Sequence, residues 1–231
     1  MDIKISPSLM CADQLFLKDE INKLEEENID SFHIDIMDGH LVDNFGFNFQ
    51  VIKGIKKITN IPLDLHLYID NPVKYIKKFV EIGGDTIYFH VEVSNSPLRL
   101  IKMIKSLGAK AGIALYPSTP IENYEYLFEL LDKIMVLTVE PGFSGQSFII
   151  STIKKIKKIR NIIKKKDLNI DIGVDGNINV ENAVMSINAG ANVLVCGTSA
   201  IFYTKDIVNN LKMFRYNLKT VLGTGFNHQR I

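Results

Sequence analysis

Histidine and carboxylate recur in this chain at a spacing of two. His33 and Asp35 make one pair, and Asp64 and His66 make a second in the opposite order. Alternate residues of a β-strand point to the same face, so a strand through either segment would present both members of its pair together. Asp175, just before Gly176, closes another apolar run, and Ser6 and Ser8 share a parity near the start. Neutral imidazole nitrogen and carboxylate oxygen suit Zn²⁺, Mn²⁺, Fe²⁺ or Co²⁺. His33, Asp35, His66 and Asp175 are therefore candidate ligands of one divalent ion if the fold gathers their segments. The plainer reading is that they are hydrogen-bonded core residues, as a lone His-x-Asp on a strand usually is. Spacing alone leaves both readings standing.

A second group suits an anion. Pro141-Gly142-Phe143-Ser144-Gly145-Gln146-Ser147, Asp175-Gly176-Asn177 and Gly197-Thr198-Ser199 each follow a short apolar run. Glycine lets backbone N–H groups approach an anion closely, and a helix start adds favourable partial charge. One such turn is only a tight turn; three after consecutive runs make a candidate phosphate site. Met10, Met37 and Met135 read as core filling. Cys11 and Cys196 lie far apart with no Cys-x-x-Cys, and nothing marks either as a nucleophile.

These residues need a scaffold that brings distant strand ends together. Short apolar, β-branched runs predict strands at Lys4–Leu9, Ser31–Met37, Leu63–Tyr68, Thr86–Val91, Ala111–Tyr116, Ile134–Val139, Ile170–Val174 and Val193–Cys196. Amphipathic stretches lie between them. Leu15, Ile21 and Leu24 belong to the first, and Asn71-Pro72 reads as cap and first turn of a later one. Gly83-Gly84, Gly108 and Gly190 suit left-handed helix ends. Eight βα units without a linker predict one (β/α)₈ TIM barrel over residues 1–231, with 223–231 as a weakly patterned tail. No GxGxxG or P-loop follows the first strand, so a nucleotide-binding sheet is unsupported. Barrel active sites form at the C-terminal strand ends, where the residues above collect.

Composition narrows the function further. The 231 residues are 46% apolar, with 27 Lys+Arg against 26 Asp+Glu. That favours a large core and gives no long-range attraction to nucleic acid or an anionic membrane. The lysine-rich stretch 154–166 carries Ile153, Ile156, Ile159 and Ile163 at helical spacing, so its charges coat a solvent face. No apolar run reaches the ~20 residues of a membrane helix, no secretory signal is evident, and two distant cysteines suit a cytoplasmic location. A homo-oligomer is compatible with the sequence.

Ile5-Ser6-Pro7-Ser8-Leu9, His33-Ile34-Asp35-Ile36-Met37-Asp38-Gly39, Asp64-Leu65-His66-Leu67, Thr138-Val139-Glu140-Pro141-Gly142-Phe143 and Val174-Asp175-Gly176 resemble, in order and on five strands, the ribulose-phosphate 3-epimerase family. Residues 6–11, the non-glycine Asn177 and Gly197-Thr198-Ser199 are most similar to its D-allulose-6-phosphate 3-epimerase branch. The resemblance implies inversion at C3 of a ketose phosphate, either D-ribulose 5-phosphate/D-xylulose 5-phosphate or D-allulose 6-phosphate/D-fructose 6-phosphate. It implies one divalent metal on His33, Asp35, His66 and Asp175, with Asp35 and Asp175 as the acid–base pair. Ser8 and His66 would contact substrate. Gly142, Phe143, Ser144, Gly145, Gly176, Asn177, Gly197, Thr198 and Ser199 would hold its phosphate end. Asp43, Asn48-Phe49, Tyr68, Leu137, Ser144 and Asn177 depart from the family pattern; Tyr68 and Leu137 stand where methionines are usual. Two other readings remain: a lyase of a related phosphate-binding barrel, which would want a lysine at the chemistry, and a non-catalytic phosphosugar sensor.

Overall fold

The computed structural model describes residues 2–143 and 145–223; Ser144 and all but the first residue of the expected tail 223–231 lie outside the described residues. Eight strands form where the apolar runs predict them: β1 (Lys4–Pro7), β2 (Phe32–Met37), β3 (Leu63–Tyr68), β4 (Thr86–His90), β5 (Lys110–Leu115), β6 (Lys133–Leu137), β7 (Asp171–Asp175) and β8 (Val193–Cys196). Their ends move by a residue or two. β1 stops at Pro7 because Leu9–Cys11 turns into a short 3₁₀ segment.

All pairings are parallel, in the order β1-β8-β7-β6-β5-β4-β3-β2. The ring closes between β1 and β2 through a bridge at Ser8 and His33. Below it the Asp30 N–H donates to the Ile5 carbonyl (3.1 Å), and the Asp30 carboxylate accepts from the Ile5 N–H (2.8 Å). The molecule is a (β/α)₈ barrel.

Helices α1 (Leu17–Glu25), α2 (Phe49–Ile58), α3 (Ile76–Glu81), α4 (Pro97–Ser106), α5 (Thr152–Lys165), α6 (Val180–Ala189) and α7 (Ile207–Leu222) cover the outside. Ile156, Ile159 and Ile163 of α5 are buried, which leaves most of its lysines in solvent; Lys155 is half-buried and donates to the Tyr116 and Pro117 carbonyls (2.6 and 2.9 Å). Gly83, Gly108 and Gly190 take positive φ after their helices, as expected; Gly84 does not. Leu15 departs from the prediction: it precedes α1 and is 89% exposed. Asn71 makes no side-chain cap, and Pro72 opens a 3₁₀ turn (Pro72–Lys74) rather than α3 itself. The β5–β6 crossover is a 3₁₀ run, Ile121–Leu130. Its apolar residues Ile121, Tyr124, Leu127 and Leu130 recur every third position, which aligns them along one edge of a three-residue turn.

Inside the barrel, Tyr68, Tyr88, Ala114, Met135, Leu137 and Val195 form an apolar layer with Val42. Two glycines make room for it. A Cβ on Gly112 would meet the Tyr88 ring at 2.4 Å, and one on Gly173 would meet Met135 at 2.8 Å. Beneath lies an ionic base, where the Lys133 ammonium donates to both oxygens of Asp64 (2.8 and 2.9 Å) and the Ser31 hydroxyl donates to Asp64 (2.9 Å) while accepting from the Ser6 hydroxyl (2.8 Å). The apolar floor and its ionic base carry the polar centre at the mouth.

Candidate active site

The two His/Asp pairs separate along the barrel axis. Asp64 faces the base, while His66, two residues on, reaches the mouth. There it meets His33 and Asp35 of β2 and Asp175 of β7. The ligand-capable atoms of these four residues all lie within 4.8 Å of one another. His33 Nε2 lies 3.3 Å from Asp35 Oδ1, 3.7 Å from Asp175 Oδ2 and 3.1 Å from His66 Nδ1. His66 Nδ1 lies 3.7 Å from Asp35 Oδ1 and 3.5 Å from Asp175 Oδ2. Metal–ligand bonds of about 2.0–2.2 Å in a tetrahedron put ligand atoms about 3.3–3.6 Å apart. The observed edges straddle that range, so the donor set and its spacing both fit a divalent ion.

Local structure fixes each carboxylate. Ser8 Oγ donates to Asp35 Oδ2 (2.9 Å), leaving Oδ1 for the histidines. Thr138 holds the Asp175 backbone, its N–H and Oγ1 both donating to the Asp175 carbonyl (2.8 and 2.9 Å). The Tyr68 hydroxyl makes a long contact to Asp175 Oδ2 (3.4 Å). Charge follows burial. Burial, the largest influence, works to lower His33, but Asp35, Asp175 and Asp64 outweigh it and push it up to about 9. His66 is driven well below its ordinary value by burial and by the neighbouring His90 and His33. Asp175 is raised, chiefly by burial, against the opposing pull of His33 and Tyr68.

Above the centre opens a cavity of about 350 Å³. Ser8, Asp35 and Asp175 line its floor, while His33 and His66 are fully buried beneath it. Its wall contains every described residue expected at the phosphate end: Gly142, Phe143, Gly145, Gly176, Asn177, Gly197, Thr198 and Ser199. Side chains tie these loops together. Asn44 Nδ2 donates to the Gly142 carbonyl (2.9 Å), Asn177 Nδ2 to the Gln146 carbonyl (2.8 Å), and Ser199 Oγ to Asn177 Oδ1 (2.9 Å). Asn177 has φ +50°, a left-handed conformation that asparagine tolerates better than most residues.

Several residues depart from their sequence reading. Met135 fills the core as expected, but Met10 and Met37 line the cavity. Cys11 lines it too, yet burial pushes its thiol up to about 11, which is no setting for a nucleophile. Asp38 and His40 pair with each other at the rim, away from the centre. Lys133 is inside the barrel, where Asp64 occupies it at the base. No lysine or arginine lines the cavity among the described residues.

A metal-capable His₂Asp₂ cluster at the mouth, under a cavity walled by glycine-rich loops, defines a barrel built to hold a divalent ion beside a small polar ligand. Comparison with known proteins agrees. Residues 4–202 match the model of the ribulose-phosphate 3 epimerase family, and the chain belongs to that family of isomerases. It is 43% identical over 213 residues to the ribulose-phosphate 3-epimerase of Methanocaldococcus jannaschii, covering 92% of this chain and 90% of that protein. It is 42% identical over 207 residues to the Bacillus subtilis ribulose-phosphate 3-epimerase, covering 88% and 94%. The fold is shared with distant barrels such as the tryptophan synthase α-subunit of Pyrococcus furiosus (TM-score 0.69, 16% identity, 94% of this chain and 99% of that one). None of the helices of the described residues is long and apolar enough to cross a membrane.

Proposed function

We propose that this protein inverts C3 of a ketose phosphate, with D-ribulose 5-phosphate and D-xylulose 5-phosphate as its pair. The observation that carries the reading is the placement of Asp35 and Asp175 on separate strands, both facing one cavity and both within ligand range of the same two histidines. The proton on C3 lies α to the C2 carbonyl, so its removal generates an enediolate. A divalent ion on His33, Asp35, His66 and Asp175 would supply Lewis-acid stabilisation of that negative charge. One carboxylate removes the proton and the other delivers a proton to the opposite face, and the two exchange roles with the direction of reaction. Ser8 orients Asp35 through its hydroxyl. Tyr68, buried in the cavity wall, narrows the space above the sugar.

The phosphate is held by backbone N–H groups of the three loops, in keeping with a wall free of lysine and arginine. That wall also disfavours the lyase reading, which needs an amine at the chemistry. Names of the relatives support a five-carbon substrate, whereas residues 6–11 point to the six-carbon one, so both belong in the assay.

The test is exchange of the C3 proton with D₂O in metal-replete protein, using D-ribulose 5-phosphate and D-allulose 6-phosphate side by side. Exchange and epimerisation are expected, with higher kcat/KM for the pentulose. Asp35→Asn and Asp175→Asn should each lower turnover by at least about 10²-fold while preserving the fold. Absence of exchange with either sugar overturns the proposal.

A further inference from the structure

His90 ends β4 inside the barrel, fully buried, and takes no part in the ligand set above. Its Nε2 lies 3.0 Å from His66 Nε2, the ring nitrogen of His66 that points away from the centre. The two ring planes are nearly parallel, 15° apart, with centroids 5.0 Å apart and the two Nε2 atoms facing each other. On the far side, His90 Nδ1 is buried without a well-formed hydrogen bond, and Glu92 Oε2 stands 3.4 Å from it. Glu92 is in turn anchored: its Oε1 accepts from the Tyr116 N–H (2.9 Å) and from the Thr119 hydroxyl. Tyr68 and Tyr116 pack on the His90 ring, with centroids at 4.6 and 4.7 Å.

Proton positions along this row follow from one another. A histidine that presents Nδ1 to a cation carries its proton on Nε2. The His66 Nε2–H then needs an acceptor, and the only ring nitrogen facing it among the described residues is His90 Nε2. Accepting there places the His90 proton on Nδ1, the atom that faces the Glu92 carboxylate. With His66 protonated at Nε2, the other His90 tautomer would set two N–H donors against each other between the buried rings.

We propose that His90 and Glu92 are positioning residues that lock His66 in the Nε2–H tautomer and so hold its Nδ1 lone pair on the metal site. The metal reading of the centre is presupposed. Carboxylate partners behind ligating histidines commonly set tautomer and basicity; here the carboxylate acts through a second imidazole.

The experiment measures Co²⁺ and Zn²⁺ affinity of the metal-free full chain by chelator competition, the visible spectrum of the Co²⁺ form, and ¹⁵N imidazole shifts of the Zn²⁺ form. Wild type should show His66 protonated at Nε2. His90→Leu should weaken both metals by about 10–100-fold and alter the Co²⁺ spectrum. His90→Gln, which restores an acceptor near the same place, should recover much of the loss. Glu92→Gln, which keeps the size of a partly exposed side chain, should weaken binding less and shift the His90 Nδ1 signal. Wild-type affinity and an unchanged spectrum in both His90→Leu and Glu92→Gln overturn the relay while leaving the metal site standing. If wild type itself takes up neither ion, the metal site fails, and the relay with it.

Discussion

Gly46 sits in the loop after β2 against the backbone that carries Asp35. A Cβ built there would stand 2.3 Å from the Asp35 carbonyl oxygen and 2.7 Å from the Met37 nitrogen. Its φ is unremarkable, so glycine is required by space and not by conformation. Gly46→Ala must part the two chains by at least about 0.7 Å to reach the 3.0 Å below which real contacts are essentially never found. The segment resists, because the Phe47 N–H donates to that same Asp35 carbonyl (3.0 Å) and the Gly46 N–H to the Met37 carbonyl (3.2 Å). The displacement therefore reaches Asp35, whose carboxylate belongs to a ligand cluster with edges of 3.3–3.7 Å. Misplacement by about 1 Å costs on the order of 10²-fold in rate, and overpacking costs about 1–3 kcal/mol of stability. Gly54→Ala is the control. Gly54 lies within α2 with nothing within 4 Å of its added Cβ, so the same methyl should stabilise by about 0.5–1 kcal/mol. Urea titration, chelator competition and kcat/KM measured on both variants decide the matter. If folded Gly46→Ala keeps metal affinity and kcat/KM within twofold of wild type, the reasoning is wrong.

Other expectations concern charge. With His33 raised to about 9, its proton competes with a cation below that pH, so apparent metal affinity should climb up to tenfold per pH unit toward 9 and then level off; a flat profile from pH 7 to 9 contradicts it. In the metal-free protein the same group contributes stability that is complete below its unfolded value near 6.5 and lost as pH rises through about 9. Metal-free protein should accordingly show a falling urea midpoint across that window. Cys11, raised from 9.0 to about 11, should react with iodoacetamide roughly 10²-fold more slowly than an unperturbed thiol, and fast labelling in native protein would count against its burial. Lys133→Met strands the Asp64 carboxylate in the barrel base and should cost about 3–5 kcal/mol, visible as a lowered urea midpoint; pairing it with Asp64→Leu should restore most of that loss.

Much of the site was legible because strand alternation is a simple rule. His33, Asp35, His66 and Asp175 could be named from spacing and strand ends, and β3 and β8 fell on their predicted bounds. The rule says nothing about depth, so it could not tell that Asp64 belongs to the base and His66 to the mouth. His90-Val91-Glu92 carries the same alternate spacing at the end of β4 and offered a signal that passed unread. Lys133 was missed because a charged residue at the start of an apolar run looks like its boundary, whereas inside a barrel it can be neutralised by a strand three places away in the order. Gly46 gives no local signal at all, since its constraint is the proximity of another segment. Leu15 misled for the opposite reason: its apolar character fits a helical pattern, but the turn at Asp13–Phe16 delays α1 and leaves it exposed.

The seam between β1 and β2 has a consequence for how the chain comes together. β1 is the barrel strand synthesised before the other seven, yet its ladder partner is β8, the eighth. Its backbone link to β2 is the Ser8–His33 bridge with the Asp30 contacts below it, supplemented by the Ser6–Ser31 and Ser8–Asp35 side-chain bonds. Until Val193–Cys196 leaves the ribosome, β1 has no full partner on either flank. The Ser8 N–H, which donates to the Cys196 carbonyl (3.0 Å), also lacks its acceptor until then. The chemistry at the mouth is thus gated by translation of the last strand, and any product ending before it leaves Lys4–Pro7 an open edge for another chain to join.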